Sequence, residues 1–309
     1  MIFDRMEKTY QPLVSVAVIT YNSSKTVVET LDSIANQTYP YLELIVSDDC
    51  STDNTVEICL DWIETHRERF VRTELLTIEK NTGVSANMNR AEAACQGEWV
   101  KPIAGDDVLF PECVMVYVDY VRKNPDSLIV FSRMEGFGKS EAEVEEYMNR
   151  VFDYSFFSLS IPEQMHRLIF IGNCLPAPTC FYNQTRLASL GIVGYDERIP
   201  MVEDYPRWIM LLKHGVRFYF VNKVLARYRL SENAISTTNH PSEIARKSNA
   251  LVYMYYRYPE IKKDNWLRAT HKYIKAAVEY REGAFWKVLN RCDMALSDAL
   301  NKLGINVKV

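Results

Sequence analysis

Residues Trp99-Val-Lys-Pro-Ile-Ala-Gly-Asp-Asp-Val108 decide how this chain reads. An apolar, strand-like run ends in a glycine and two adjacent carboxylates, Asp106 and Asp107. Two neighbouring like charges disfavour joint ionisation, so the pair must be solvated, share a proton or bind a cation. Mg2+ or Mn2+ resolves the conflict, since these ions accept one or two carboxylates and complete their shell with phosphate oxygens. The alternative is a type I turn in which both aspartates cap a helix, Asp being common in turns.

The segments upstream repeat the pattern. Val14-Ser-Val-Ala-Val-Ile-Thr-Tyr-Asn22 is a β-branched run ending in polar residues, and Leu42-Glu-Leu-Ile-Val-Ser-Asp-Asp49 ends in a second acidic pair. Between them Val27, Leu31 and Ile34 recur at helical spacing, as do Val84, Met88, Ala91 and Cys95 after Asn81-Thr-Gly83. The first ~110 residues therefore predict strand and helix in strict alternation, ending on a strand. Such alternation implies an α/β fold with a mainly parallel sheet covered by helices. Ligands of such sheets sit at the carboxyl ends of the strands. Thr20, Tyr21, Asn22, Asp48, Asp49, Asn81, Asp106 and Asp107 all fall there.

Taken in order, Val-Ile-Thr-Tyr-Asn22, Ser47-Asp-Asp-Cys-Ser-Thr-Asp-Asn-Thr55, Asn81-Thr-Gly-Val-Ser-Ala-Asn-Met-Asn89 and Gly105-Asp-Asp-Val-Leu-Phe-Pro111 resemble the motifs of family-2 glycosyltransferases of GT-A fold. The chain is most similar to bacterial enzymes of capsule and O-antigen synthesis, closely over residues 13–112 and more thinly to about 236. The resemblance implies a Rossmann-like mixed sheet flanked by helices, with a nucleotide-sugar-binding half at 1–110. It also implies an acceptor-binding and catalytic half at 111–240 and a helical C-terminal extension at 241–309. It places Thr20, Tyr21 and Asn22 by the nucleoside, and Asp49, supported by Asp48, on the uracil N–H, a donor that cytosine lacks. Asn81 and Gly83 lie by the nucleotide, where glycine permits close backbone approach. Asp107 binds Mn2+ or Mg2+, and Asp106 contacts ribose or joins the metal shell. Met88 departs from the pattern, standing where many relatives carry Arg or Lys, so an arginine contact to the donor is expected to be missing.

A second chemical segment is Met201-Val-Glu-Asp-Tyr-Pro-Arg-Trp208. Pro206 suits a first helical turn, and Trp208, Ile209, Leu211 and Leu212 continue a helix toward Gly215. A helix cap is one reading of Glu203 and Asp204. The family resemblance implies the other: Asp204 is the general base that deprotonates the acceptor hydroxyl, with Glu203 orienting the loop. A helix N-terminus favours the ionised carboxylate, so the base is expected to depend on positioning more than on a raised pKa.

Leu225-Ala-Arg-Tyr-Arg-Leu-Ser-Glu-Asn-Ala-Ile-Ser236 resembles the strand and loop that close over the diphosphate. Ser231 stands where relatives often carry His. Arg229 or Arg227 suits phosphate, and an edge strand with outward arginines is the alternative. Between the two acidic segments, Phe152-Asp-Tyr-Ser-Phe-Phe157 and Asn173-Cys-Leu-Pro-Ala-Pro-Thr-Cys180 fall where the family places acceptor contacts, and no single acceptor residue is assigned.

Other chemistries fail on spacing. Gly138-Lys-Ser140 lacks the upstream glycine of a P-loop, Gly136 and Gly138 lack the third glycine of a dinucleotide fingerprint, and the five histidines show no zinc spacing. The Asn-x-Ser/Thr tripeptides at Asn22, Asn36 and Asn183 read as incidental, with no secretory signal ahead of them. Seven cysteines, an odd number, suit a reducing cytoplasm, and no apolar run of about 18 residues predicts a membrane span. The net charge of −4 is uneven: residues 1–205 hold 17 Lys/Arg against 32 Asp/Glu, residues 206–309 hold 19 against 8. The basic part interleaves Tyr253, Tyr255, Tyr256, Arg257, Tyr258, Lys262, Lys263 and Trp266. That pattern suits peripheral attachment to the inner face of the cytoplasmic membrane, a packed helical bundle with snorkelling cations, or a homodimer interface. Nucleic acid is excluded, since net charge is negative and no binding motif appears.

The chain thus reads as an inverting, metal-dependent glycosyltransferase using a UDP-sugar donor and a glycan or undecaprenyl-diphosphate-linked acceptor. A metal-dependent nucleotidyltransferase and a non-catalytic sugar-nucleotide-binding scaffold are the alternatives.

Overall fold

The computed structural model describes residues 10–231, 242–264, 266–281 and 294. In chain order the first half runs β1 (Val14–Thr20), α1 (Val27–Ala35), β2 (Leu42–Asp48), α2 (Thr55–His66), β3 (Arg72–Leu76), α3 (Val84–Ala94) and β4 (Trp99–Ala104). This is the alternation predicted from hydrophobic periodicity. Strands β1, β2 and β4 are buried along nearly their whole length, which is why they read as continuous apolar runs and not as alternating ones.

The second half adds β5 (Val108–Leu109), α4 (Cys113–Lys123), β6 (Ile129–Phe137), α5 (Glu141–Val151), α6 (Ile161–His166), β7 (Phe181–Asn183), α7 (Gln184–Ser189), α8 (Asp204–Lys213) and β8 (Phe218–Arg229). A single eight-stranded sheet passes through both halves in the order β3-β2-β1-β4-β7-β6-β8-β5. Pairings within β3-β2-β1-β4 are parallel, β7 is antiparallel to both neighbours, and β6 and β8 are parallel. Because β7 inverts between β4 and β6, the carboxyl ends of β1, β2, β4, β6 and β8 face one edge. The two-residue β5 pairs with β8, matching Val108 to Arg227, so β8 is not the edge strand of the alternative reading.

Packing divides between the two faces of the sheet. One core gathers Val16, Val18, Leu31, Leu44, Val46, Tyr117 and Phe181. The other gathers Ala17, Ile45, Phe131, Trp208, Leu211 and Phe218. Phe131 and Trp208 meet edge to face, with ring centroids 5.2 Å apart, so α8 is fixed against the sheet by aromatic packing.

Helices α9 (Glu243–Val252), α10 (Tyr258–Asp264) and α11 (Trp266–Arg281) follow. Part of the basic, aromatic stretch is used internally. Tyr253 is buried and donates to Ala269 O at 3.1 Å, Tyr256 donates to Asp196 at 2.8 Å, and Arg257 Nε donates to Ile169 O at 2.6 Å. For these residues the packed bundle is the arrangement found. No described helix is long and apolar enough to cross a membrane. Residues 232–241 and most of 282–309, which belong to the closing loop and the C-terminal extension of the sequence reading, lie outside the described residues, as does the side chain of Trp266.

Candidate active site

Register brings the polar residues together. Thr20 is opposite Asp48 across β1 and β2, and Ile19 is opposite Ala104 across β1 and β4. The Asp106–Asp107 turn therefore lies one step beyond the same edge as Thr20 and Asp48. Gly105 makes that approach possible: a Cβ there would lie 2.8 Å from Thr20 Cγ2.

Asp48 is buried and structural. It accepts from Thr20 Oγ1 at 2.8 Å, from Ser51 N at 2.7 Å and from Ser51 Oγ at 2.5 Å. Asn22, in left-handed backbone at φ 52°, ties the same two loops, accepting from Thr52 N at 2.8 Å and donating its own N–H to Ser51 Oγ at 2.8 Å. Tyr21 is half exposed and Asn81 is exposed at the rim of this edge.

Asp49 is held by the start of α3. Its Oδ2 accepts from Thr82 N at 2.9 Å and Gly83 N at 2.7 Å, and its Oδ1 accepts from Thr82 Oγ1 at 2.6 Å and Arg90 Nη2 at 3.0 Å. Met88 is buried.

Gly83 supplies a positive φ of 87° where α3 begins, and a Cβ there would lie 2.8 Å from both Pro200 Cβ and Pro200 O. The loop before α8 is thus pressed onto the start of α3. Ser85 Oγ donates to Ile199 O at 2.5 Å, and Asn89 exchanges bonds with the backbone of Tyr195.

The acidic pair after β4 is buried at Asp107, which is 1% exposed. Burial, and then the charge of Asp106, push the Asp107 carboxyl well above the usual carboxylate range, and burial raises Asp106 as well against the opposing charge of Arg229. The strain of an uncompensated acidic pair is what a divalent cation relieves. Among the described residues no group of three His, Cys, Asp or Glu side chains could hold a metal, so there the acidic pair offers two carboxylates. That donor set suits a hard ion that completes its shell with phosphate and water oxygens. Arg229 sits directly on the pair, its N–H donating to Asp107 Oδ1 at 2.9 Å, its Nε to Asp106 O at 2.8 Å, and its guanidinium pairing with Glu29. Arg227 turns instead to Glu135 at 2.9 Å and over the Phe137 ring.

Asp204 opens α8, with Glu203 as the preceding residue and no side-chain cap bond from it. Asp204 Oδ2 accepts from Asn173 Nδ2 at 2.7 Å, and Oδ1 from Tyr205 N at 2.7 Å. Burial raises the Asp204 carboxyl against these bonds, and burial with the charge of Asp204 pushes Glu203 up to about 8. The expectation that a helix N-terminus would keep the base acidic is corrected: desolvation outweighs the dipole. The consequence is a division within the pair: Glu203, raised to about 8, keeps its proton near neutrality.

Residues that the sequence reading missed hold the two acidic pairs in one frame. Asn173 begins an extended strap whose Pro178 carbonyl accepts from Lys101 Nζ at 2.7 Å. Lys101 is wholly buried on β4, the strand that leads into Asp106–Asp107, and burial lowers its pKa. Arg207, on the first turns of α8, is 3% exposed and pairs with Glu92 of α3 at 3.0 Å, its guanidinium over the rings of Tyr195 and Tyr182.

Known proteins are similar to this chain. The profile of "Glycosyl transferase family 2" matches residues 15–182. A Bacillus subtilis protein bearing the name teichuronic acid biosynthesis glycosyltransferase TuaG is 26% identical over 287 residues, spanning 88% of this chain and 98% of that protein. Among solved structures, Staphylococcus aureus TarS 1-349 in complex with UDP superposes with a TM-score of 0.59 at 19% identity, over 94% of this chain and 91% of that one. The mannosyltransferase PcManGT of Pyrobaculum calidifontis, in complex with GDP-Man and Mn2+, gives 0.59 at 20% identity, over 94% and 81%. With more than half of the chain matched, this chain belongs to glycosyl transferase family 2 and is a glycosyltransferase of GT-A fold.

Proposed function

We propose that this enzyme transfers a sugar from a UDP-sugar, with inversion, to a hydroxyl of a glycan or of an undecaprenyl-diphosphate-linked glycan in bacterial surface polysaccharide synthesis. The observation that carries the reading is the pairing of two acid sites on one frame: Asp106–Asp107 after β4, with Asp107 buried, and the partly buried Glu203–Asp204, joined to β4 through Asn173, Pro178 and Lys101. TuaG, matched along nearly its whole length, supports the acceptor class by its name. TarS with UDP and UDP-GlcNAc supports the donor class.

In this reading Asp107 and Asp106 hold Mn2+ or Mg2+. The ion, when bound, neutralises charge on the leaving diphosphate. Asp204 takes the proton of the acceptor hydroxyl as its oxygen bonds to the anomeric carbon and the carbon–phosphate oxygen bond breaks. One displacement inverts the centre. A carboxylate raised by burial is a better base than an exposed one, and the bonds from Asn173 and Tyr205 N hold its orientation. Protonated Glu203 adds no second charge to repel the sugar phosphate. Arg229, at the acid pair, is positioned to answer the charge of the diphosphate.

Family membership removes the nucleotidyltransferase alternative. Asp204→Asn tests the mechanism: nucleotide binding should stay within about threefold, and transfer should fall by about 10²–10⁴. Asp107→Ala should abolish the manganese-dependent part of the thermal stabilisation by UDP, roughly 2.7 kcal/mol at 100 times the dissociation constant. Transfer at the parent rate by Asp204→Asn would remove Asp204 as the base.

A further inference from the structure

The outer edge of the sheet carries a cavity remote from the donor end of β8. On its outer side β8 is paired by β5 only at Ala226 and Arg227, so among the described residues no strand covers 218–224. A cavity of about 500 Å³ opens beside this stretch, between the first half of β8, the end of α4 and the turn Tyr154–Ser158. Asn222 in its lining precedes Arg229 along β8, and at the rise of an extended strand the two are roughly 20 Å apart.

The lining is aromatic and basic, and it holds no Asp or Glu. Phe157 and Phe220 stack with ring centroids 4.7 Å apart, and Tyr120, Tyr154 and Tyr219 are half-buried. Arg133 lies over the Tyr154 ring at 4.9 Å, and its Nε donates to Asn222 Oδ1 at 2.6 Å. Arg217 lies over the Tyr219 ring at 5.8 Å. Each guanidinium is braced on a ring, and neither has a carboxylate partner among the described residues. The acids next along the chain are engaged elsewhere: Asp153 pairs with Arg167 at 2.7 Å, and Asp119 with Arg122 at 3.0 Å. A guanidinium has donors only, in a fork that matches carboxylate and phosphate oxygens. Two such forks on one cavity without a counter-ion suit an anion, and the rings around them suit the apolar C–H faces of pyranose sugars.

We propose that this cavity is a glycan-binding subsite, separate from the transfer site, for an acidic saccharide carrying carboxylate or phosphate groups. The choice of a glycan rests on the acceptor class proposed above, and the choice of an anion rests on Arg133 and Arg217. A chain held here and at the transfer site is bound at two points, so the second contact forms at high effective concentration. The cavity thus grips a part of the polymer remote from the end that receives the sugar.

Calorimetry on the full chain tests this with two acidic probes, hexagalacturonate and a phosphomannan oligosaccharide, each beside its neutral counterpart, the full methyl ester and the dephosphorylated mannan. At least one acidic probe should bind, its neutral counterpart about tenfold or more weakly. The tighter of the two acids names the anion. Arg133→Gln combined with Arg217→Gln should weaken that probe about tenfold or more, and should leave the affinity for UDP with Mn2+ within about twofold, because the two sites share no residue. Should the double variant fail to fold, Arg217→Gln alone decides, since Arg217 makes no hydrogen bond to the described residues. Neutral counterparts that bind equally well, or a parent that binds neither acid, overturn the proposal. So does a double variant that binds as the parent does, which would place the anion on the basic C-terminal helices. A parent that binds an acidic probe through these arginines but no UDP would overturn the donor-site reading and leave the subsite standing.

Discussion

Glu203 should make this protein less stable as pH rises, and Glu203→Gln should remove the effect. Burial and the neighbouring Asp204 charge raise its carboxyl from the ordinary 4.5 to about 8. Between those values the native state holds a proton that the unfolded chain has released, so unfolding frees a proton and becomes easier with each unit of pH. The favourable contribution is complete below about 4.5 and is lost as pH rises through about 8. Each unit is worth about 1.4 kcal/mol, which sets an upper limit of about 4–5 kcal/mol. The pair is only partly buried, so solvent screening brings the expected figure to roughly 2–3 kcal/mol. Gln is neutral throughout and keeps the size of the protonated acid. Urea unfolding of parent and variant at pH 5, 6, 7, 8 and 9 should give curves that meet at the acid end and diverge toward pH 9, with the variant the more stable there. Its transfer activity at pH 7 should stay within about threefold of the parent, because Asp204 supplies the base. Parallel curves across the whole range would refute the claim that Glu203 is held protonated, and with it the division within the pair.

Three further changes probe the frame. Asn173→Ala removes a bond to ionised Asp204, so the acidic limb of the kcat/KM profile should move to higher pH and kcat should fall about tenfold, with nucleotide affinity unchanged. Arg207→Met leaves buried Glu92 without its cation, and denaturant titration should record a loss of about 3–5 kcal/mol; a loss under 1 kcal/mol would mean that water already compensates the pair. Gly83→Ala meets both a φ of 87° and the Pro200 backbone, and should cost about 1–3 kcal/mol and weaken UDP binding, whereas a variant as stable as the parent would show that the loop before α8 moves freely from α3.

Much of this was legible in the amino-acid order because it is local. The β-branched runs of β1 and β2 and the helical spacing of Val27, Leu31 and Ile34 announce themselves within a dozen residues, and an acid pair after a buried strand is conspicuous wherever it stands. What was hidden is set by contacts between distant segments. Asn173 and Asp204 are 31 positions apart, and Arg207 and Glu92 are 115 apart. No periodicity links such pairs. The Asp204 reading went astray for the same reason: the helix N-terminus is visible in Pro206 and the apolar residues after it, while the desolvation that outweighs it comes from chain folded over the site. The Ser140–Glu143 capping box that opens α5, by contrast, is local and readable.

The buried Lys101 explains how the two acid pairs can act on one substrate. A charge with no solvent is costly unless it is bonded, and Lys101 is met by two carbonyls, Pro102 O and Pro178 O, each at 2.7 Å. One belongs to β4 and the other to the strap that begins at Asn173. Both partners are proline carbonyls, on backbone whose φ is fixed by the ring, so the bond joins two stiff pieces of chain. Tyr117 adds a second fastening, donating to Thr179 O. In the proposed mechanism the distance between a leaving diphosphate at β4 and a base at α8 therefore does not depend on the loops at the rim, where Tyr21 and Asn81 are exposed. Inverting transfer asks for this separation of roles, because nucleophile, anomeric carbon and leaving oxygen must lie in line, and small displacements are expensive in rate. Sugar and acceptor choice can then vary in the rim loops while Lys101, Asn173 and Arg207 keep the reacting groups in register.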